Sequence, residues 1–188
     1  MRVEQFVMAY RVDCDEARAL LDGNTELLRP VLRINVEIIH DQAKGEWVRI
    51  EHNIPVASQG KRGWLNLNVW ESRGTRIRYY LENKHLGEPT RGAEGNAKGM
   101  TTVFQTDFLT VEFTGVGIEG GCPAEHDNDG CFYTVETGAV FVPSESIDSK
   151  KEYCDCEFTW TKRLNPAMGV APIEILGAYK VEFERMIG

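Results

Sequence analysis

The 188 residues suit one domain, expected over 1–188, and are enough to bury a core, while 42% hydrophobic and 27% charged residues exclude a disordered or collagen-like chain. The formal net charge of -8, from 21 basic against 29 acidic residues, opposes the phosphate attraction behind most nucleic-acid affinity, so no nucleic-acid partner is expected. No apolar run approaches the roughly 20 residues of a membrane helix, and Met1-Arg2-Val3-Glu4-Gln5-Phe6 lacks the apolar centre of a signal peptide, so the expectation is a cytoplasmic protein without membrane contact.

Residues 5–12 are β-branched and aromatic enough to read as a strand. Asp13-Cys14-Asp15-Glu16 then offers an Asp N-cap with an acidic residue three positions on. A short helix follows from it, with Ala17, Leu20 and Leu21 as its apolar face, and ends near Asp22, where Gly23 can take a left-handed C-terminal conformation. From Pro30 the rhythm changes to strands at Val31–His40, Glu46–His52, Trp64–Trp70 and Arg76–Glu82, separated by Gly- or Pro-bearing turns. In the third of these, period-two alternation puts Trp64, Asn66 and Asn68 on one side and Leu65, Leu67 and Val69 on the other.

Residues 87–99 carry too many glycines, with Pro89, for a regular element interior and read as a long mobile loop, either a binding segment or a surface excursion. Strands resume at Thr101–Gly117, Cys131–Val142, Tyr153–Thr161 and Ile173–Met186. In the last, Ile173, Ile175, Tyr179, Val181 and Phe183 alternate with Glu174, Lys180, Glu182 and Glu184, the mark of one buried and one wet face.

Five cysteines, an odd number, suit free thiols in a reducing compartment. Cys122, Cys131, Cys154 and Cys156 with His126 are zinc-type ligands, yet they lack the paired knuckles of structural zinc sites and read as thiols. His126-Asp127-Asn128-Asp129-Gly130 is oxygen-rich but has no downstream bidentate glutamate, so it reads as a solvated turn and no metal is expected. Dinucleotide, P-loop and nucleophile-elbow motifs are missing, which removes those nucleotide and hydrolase readings.

More informative is a collinear series of segments. It begins with Tyr10-Arg11-Val12-Asp13, Arg33-Ile34-Asn35-Val36-Glu37-Ile38-Ile39-His40-Asp41, Asn53-Ile54-Pro55-Val56 and Gly60-Lys61-Arg62-Gly63-Trp64-Leu65. It continues through Glu88-Pro89-Thr90-Arg91 and Pro166-Ala167-Met168 to Pro172-Ile173-Glu174-Ile175-Leu176-Gly177-Ala178-Tyr179. In order and spacing this resembles the acetoacetate decarboxylase family over most of the chain, least between 92 and 150. The resemblance implies an α+β, mainly β fold: a closed antiparallel β-barrel with a few short helices around a mostly apolar cavity, assembled as a homo-oligomer.

The family's reactive lysine pair follows the proline of the fifth segment, the first lysine forming a Schiff base and the second lowering its pKa. Those positions here are Thr90 and Arg91, and threonine forms no imine. Lys84 and Lys98 lie nearby, but a hydrated lysine near its reference pKa of about 10.4 is a poor nucleophile. The family's two strand glutamates fall on Asn35, with Glu37 two residues on, and near Arg49, with Glu51 two residues on.

A cavity lined by Asn35, Glu37, Arg49 and Glu51 would hold a carboxylate or enolate on the arginine while a glutamate moves a proton. This needs Ile34, Val36 and Ile38 to pack against an outer helix or second sheet layer; otherwise those aliphatics fill the barrel and the polar residues form a wet face. His40 reads as a structural hydrogen-bonding group, while His85, beside the altered lysine motif, is the histidine to test for proton transfer.

The reading is an enzyme acting on a keto-acid or polyketide-like carbonyl substrate by acid/base chemistry without a lysine Schiff base at the family position. Enolisation, aldol-dehydration, cyclisation or decarboxylation would each suffice. Glu37, Glu51 and His85 are its catalytic candidates, Asn35, Arg49, Thr90 and Arg91 its substrate-binding ones, and no cofactor is expected. A non-catalytic small-molecule-binding barrel is the alternative, and a structural subunit with a filled interior the third.

Overall fold

The computed structural model describes residues 1–85, 98–120, 129–135, 138–144 and 149–185. Thr90, Arg91, most of the glycine-rich segment 87–99, Cys122 and His126 therefore lie outside the described residues, as do the side chains of Lys84, His85 and Lys98.

Strands dominate: β1 Arg2–Arg11, β2 Glu26–Leu27, β3 Val31–Asp41, β4 Gly45–Ser58, β5 Lys61–Glu71, β6 Arg78–His85, β7 Lys98–Gln105, β8 Leu109–Glu119, β9 Gly130–Val135, β10 Gly138–Pro143, β11 Glu152–Trp160 and β12 Glu174–Glu184. Among the described residues, one five-residue helix, α1 (Cys14–Arg18), and a 3-10 turn at Pro166–Gly169 complete the elements, and no helix is long and apolar enough to cross a membrane. Asp13 caps α1 as its sequence requires, accepting from Asp15 N at 2.9 Å and Glu16 N at 3.0 Å. The helix stops at Arg18, short of Gly23, and Ala19 closes it in a right-handed conformation.

Two expected long strands are each a hairpin. Thr101–Gly117 divides into β7 and β8 because the Thr106 hydroxyl accepts from Phe108 N at 3.1 Å and Leu109 N at 2.8 Å, fixing a turn. Cys131–Val142 divides into β9 and β10, paired antiparallel.

The strands follow the order β10-β9-β5-β4-β3-β1-β12-β11-β8-β7-β6, with β2 attached to β4. Two expectations are corrected here. Among the described residues this path does not return on itself, so the sheet is long and open-edged where a closed barrel was expected. Its pairing is also mixed, since β5 and β9 run parallel through Trp64↔Cys131 and Leu65↔Phe132. A strand reached by a long connection, unlike a hairpin partner, can dock in either direction.

The sheet folds over so that β7 and β8 cover one face of β1, β3 and β4. Phe6, Met8 and Tyr10 of β1, Ile34, Val36 and Ile38 of β3, and Val48 and Ile50 of β4 bury there with Phe104, Val111 and Phe113. The Phe6 ring meets Phe104 edge-on at 5.1 Å and lies 5.4 Å from Phe113. This second layer takes the β3 aliphatics, so strand alternation turns Asn35 and Glu37 to the opposite face.

Bulges correct two simple parity readings. β5 pairs Asn66 with Asn53 but Asn68 with His52, so the two asparagines occupy opposite faces. Asn66 donates to Phe132 O at 3.4 Å, while Asn68 accepts from Asn165 Nδ2 at 2.9 Å. A register shift between Ala9 and Tyr10, opposite Gly177 and Ile175, detaches the start of β12 from the alternation that buries Tyr179, Val181 and Phe183. Ile173 and Ile175 are exposed as a result, at 55% and 42%.

His52, fully buried, shares a 2.8 Å hydrogen bond with the Tyr10 hydroxyl, and burial lowers its pKa from 6.5 to about 3. Between those values the unfolded chain binds a proton that the folded one refuses, so stability falls as pH falls, by up to about 1.4 kcal/mol per pH unit. Above pH 6.5 the group contributes no slope. His52→Gln should flatten the decline in stability between pH 6 and 4, measured by urea unfolding; an unchanged slope would assign it to other groups.

Candidate active site

The face of β3 and β4 turned away from β7 and β8 carries polar residues in rows. Arg33 pairs with Asn53, Asn35 with Glu51 and Glu37 with Arg49, two residues apart along each strand. Successive rows are therefore about 7 Å apart. β9, β10, Gln5 of β1 and the end of β12 cover this face and leave a cavity of about 370 Å³. Asn35, Glu37, Arg49 and Glu51 all line it.

In the middle row Glu51 is 3% exposed. Asn35 Nδ2 donates to Glu51 Oε2 at 3.1 Å, the Tyr133 hydroxyl donates to Oε1 at 2.9 Å, and Arg49 Nε lies 3.3 Å from Oε1. Burial, and then the Glu51 charge, raise the Tyr133 pKa, so the phenol keeps its proton. Burial works to lower the Arg49 pKa, but Glu51, Tyr133, Glu37 and Glu71 outweigh it and the net shift is upward. Asn35 Oδ1 and Arg49 Nε are buried without a hydrogen-bond partner among the described residues.

In the next row Glu37 is gripped by Arg185, whose Nη2 and Nη1 donate to its two carboxylate oxygens at 2.8 and 3.1 Å, with Gln5 Nε2 a further donor at 3.4 Å. Four cations, Arg33, Arg49, Lys151 and Arg185, line the cavity against two carboxylates, Glu37 and Glu51. Although the chain is acidic overall, its cavity suits an anion.

His85 closes β6, at the other end of the strand order from β9 and β10, with its side chain outside the described residues, as are Thr90 and Arg91. His40 bridges Glu4 at 3.0 Å and Glu46 at 3.1 Å. Burial raises the Cys131 thiol pKa against the opposing pull of Arg33, holds Cys154 at about 12 and lifts Cys156 well above the ordinary range. Among the described residues no group of three or more His, Cys, Asp or Glu side chains could hold a metal.

Gln5, Arg33, Tyr133, Lys151 and Arg185 are among the lining residues that were not singled out from the sequence. Two had a usable signal: Arg33 shares the parity of Asn35 and Glu37, and Arg185 that of Tyr179, Val181 and Phe183. Tyr133 had none, because the sequence does not reveal that β9 folds back beside β5.

No sequence-family model matches the chain. No curated protein sequence matches it either. Solved structures do. An acetoacetate decarboxylase from Legionella pneumophila superposes with a TM-score of 0.64 at 14% identity, covering 97% of this chain and 81% of the other. The enduracididine biosynthesis enzyme MppR, complexed with the condensation product of pyruvate and imidazole 4-carboxaldehyde, gives 0.63 at 14% identity over 96% and 83%. An acetoacetate decarboxylase-like enzyme from Sphingomonas wittichii gives 0.60 at 11% identity over 96% and 87%.

Proposed function

The chain has the acetoacetate decarboxylase-like fold, and from that premise we propose that it is a small-molecule enzyme that transfers protons on a keto-acid or polyketide-like carbonyl substrate without a lysine Schiff base at the family position. The observation that carries this reading is the surroundings of the buried Glu51 carboxylate, on which the Arg49 guanidinium from the next row and the proton-bearing Tyr133 phenol from β9 converge.

A substrate carbonyl oxygen would accept from Arg49, whose buried Nε has no hydrogen-bond partner among the described residues. Glu51 would remove the α-proton, and the Tyr133 hydroxyl, released from Glu51 as that carboxylate is protonated, would donate to the developing enolate oxygen. The proton on Glu51 then restores the Tyr133 phenol, which completes an enolisation; delivered instead to a departing β-hydroxyl it releases water and gives dehydration, and delivered to the oxygen of a second carbonyl attacked by the enolate carbon it completes a cyclisation. Glu37, held on both oxygens by Arg185, serves in this scheme to position charge. His85, as a second proton-transfer group, and Thr90 and Arg91, as substrate-binding groups, belong to the same proposal, although their side chains lie outside the described residues.

Thr90 at the family's lysine position supports imine-free chemistry. Borohydride added with pyruvate or acetoacetate should leave the intact mass of the protein unchanged. A mass increase equal to a reduced imine adduct would overturn that part of the proposal.

One observation favours a non-catalytic binding protein: all four carboxylate oxygens of Glu37 and Glu51 already accept hydrogen bonds. On that reading Glu51→Gln alters ligand affinity and no oxo acid exchanges its α-protons faster than in buffer.

A further inference from the structure

The remaining row holds a cation that the proton-transfer scheme does not use. Arg33 is 7% exposed, lines the cavity and makes no ion pair among the described residues. The two other arginines of the cavity, both half-buried, differ: Arg49 faces Glu51 and Arg185 grips Glu37. Nε of Arg33 donates to Asn53 Oδ1 at 2.8 Å, Nη2 reaches only the Cys131 sulfur at 4.0 Å, and Nη1 makes no hydrogen bond among the described residues.

The guanidinium is nevertheless held firmly. It lies 4.1 Å from the centre of the fully buried Trp64 ring. Its partner Asn53 donates in turn to Asn66 Oδ1 at 2.8 Å, and Asn66 donates to Phe132 O at 3.4 Å. A desolvated charge without a counter-ion is costly, and neutral amides and a thiol offset only part of that cost. A planar fork fixed at its base by stacking and one hydrogen bond, with free donors at its tip, is built to receive a carboxylate.

We infer that Arg33 is the receptor for a substrate carboxylate remote from the reacting carbonyl, so that the substrate class is an oxo acid whose carboxylate and carbonyl are separated by a short carbon chain. The assignment rests on the proposed reaction for the position of the carbonyl, beside Arg49 and Glu51. Register then puts Arg33 one row from Glu51, about 7 Å along the strands, and two rows from Arg49. A 2-oxo acid, with its two groups on adjacent carbons, cannot engage both rows.

The test compares 4-oxopentanoate and 5-oxohexanoate with their methyl esters and with 2-oxopentanoate, by calorimetric titration of the unmodified protein. The two remote oxo acids should bind about tenfold more tightly than their esters and than 2-oxopentanoate. Arg33→Gln should erase the advantage over the esters, and Arg33→Lys, which keeps the charge but not the fork, should restore only part of it. Equal binding of acid and ester to the unmodified protein overturns the inference even if the variants fail to fold, as does an advantage that survives Arg33→Gln. Failure of the proton-transfer reading appears elsewhere, as absent α-proton exchange with the acid-over-ester preference intact.

Discussion

Glu51→Gln is expected to reduce α-proton exchange of a bound oxo acid by about 100-fold to 10,000-fold, the span attributable to a positioned general base. Glutamine keeps the shape of the side chain and its acceptor oxygen, so one of the two hydrogen bonds from Asn35 and Tyr133 survives. What it removes is the group that takes the proton, along with the charge facing Arg49. The measurement is deuterium incorporation from heavy water, followed by proton NMR at saturating oxo acid, with circular dichroism to verify the fold. Exchange at the unmodified rate in a folded Glu51→Gln protein would assign the proton to another group. Binding without exchange in either protein would favour the non-catalytic reading.

The second large effect is on stability. Arg185→Ala should cost about 3 kcal/mol, because it strands the Glu37 carboxylate, 4% exposed, without the guanidinium that binds both its oxygens. The figure belongs at the lower end for broken buried pairs, since the Arg185 side chain is 24% exposed and its charge remains partly hydrated. For a chain of this size the melting temperature should fall by about 6 to 12 °C. Adding Glu37→Gln removes the stranded charge, so the double variant should recover part of the loss in thermal unfolding at pH 7. A double variant no more stable than Arg185→Ala would show that the loss came from packing of the arginine stem and not from the charge pair.

Much of the cavity was legible because β3 and β4 are regular over the residues that form it. Asn35 and Glu37 share parity, as do Arg49 and Glu51, and no bulge interrupts the pairing that places Asn35 beside Glu51 and Glu37 beside Arg49. Where a bulge intervened, the same reasoning failed: Asn68 left the face of Asn66, and Ile173 and Ile175 emerged into solvent. A bulge inserts one residue without a compositional mark, and every side chain beyond it changes face. Likewise the breaks within Thr101–Gly117 and Cys131–Val142 carry no proline at the turn, and that at Thr106 depends on its hydroxyl accepting two backbone donors.

By itself the sequence determined the predominance of strands, the Asp13 cap and the alternation that sets carboxylates and cations opposite aliphatic side chains, since each depends on residues close together in the chain. Only the tertiary structure decided which face became the cavity. That choice required Phe104 and Phe113 to cover Ile34, Val36 and Ile38, and required β9 and the end of β12 to bring Tyr133 and Arg185 to glutamates 82 and 148 residues away. Packing of a distant layer is a long-range event, and the alternation of a single strand is equally compatible with burying either face until that layer arrives.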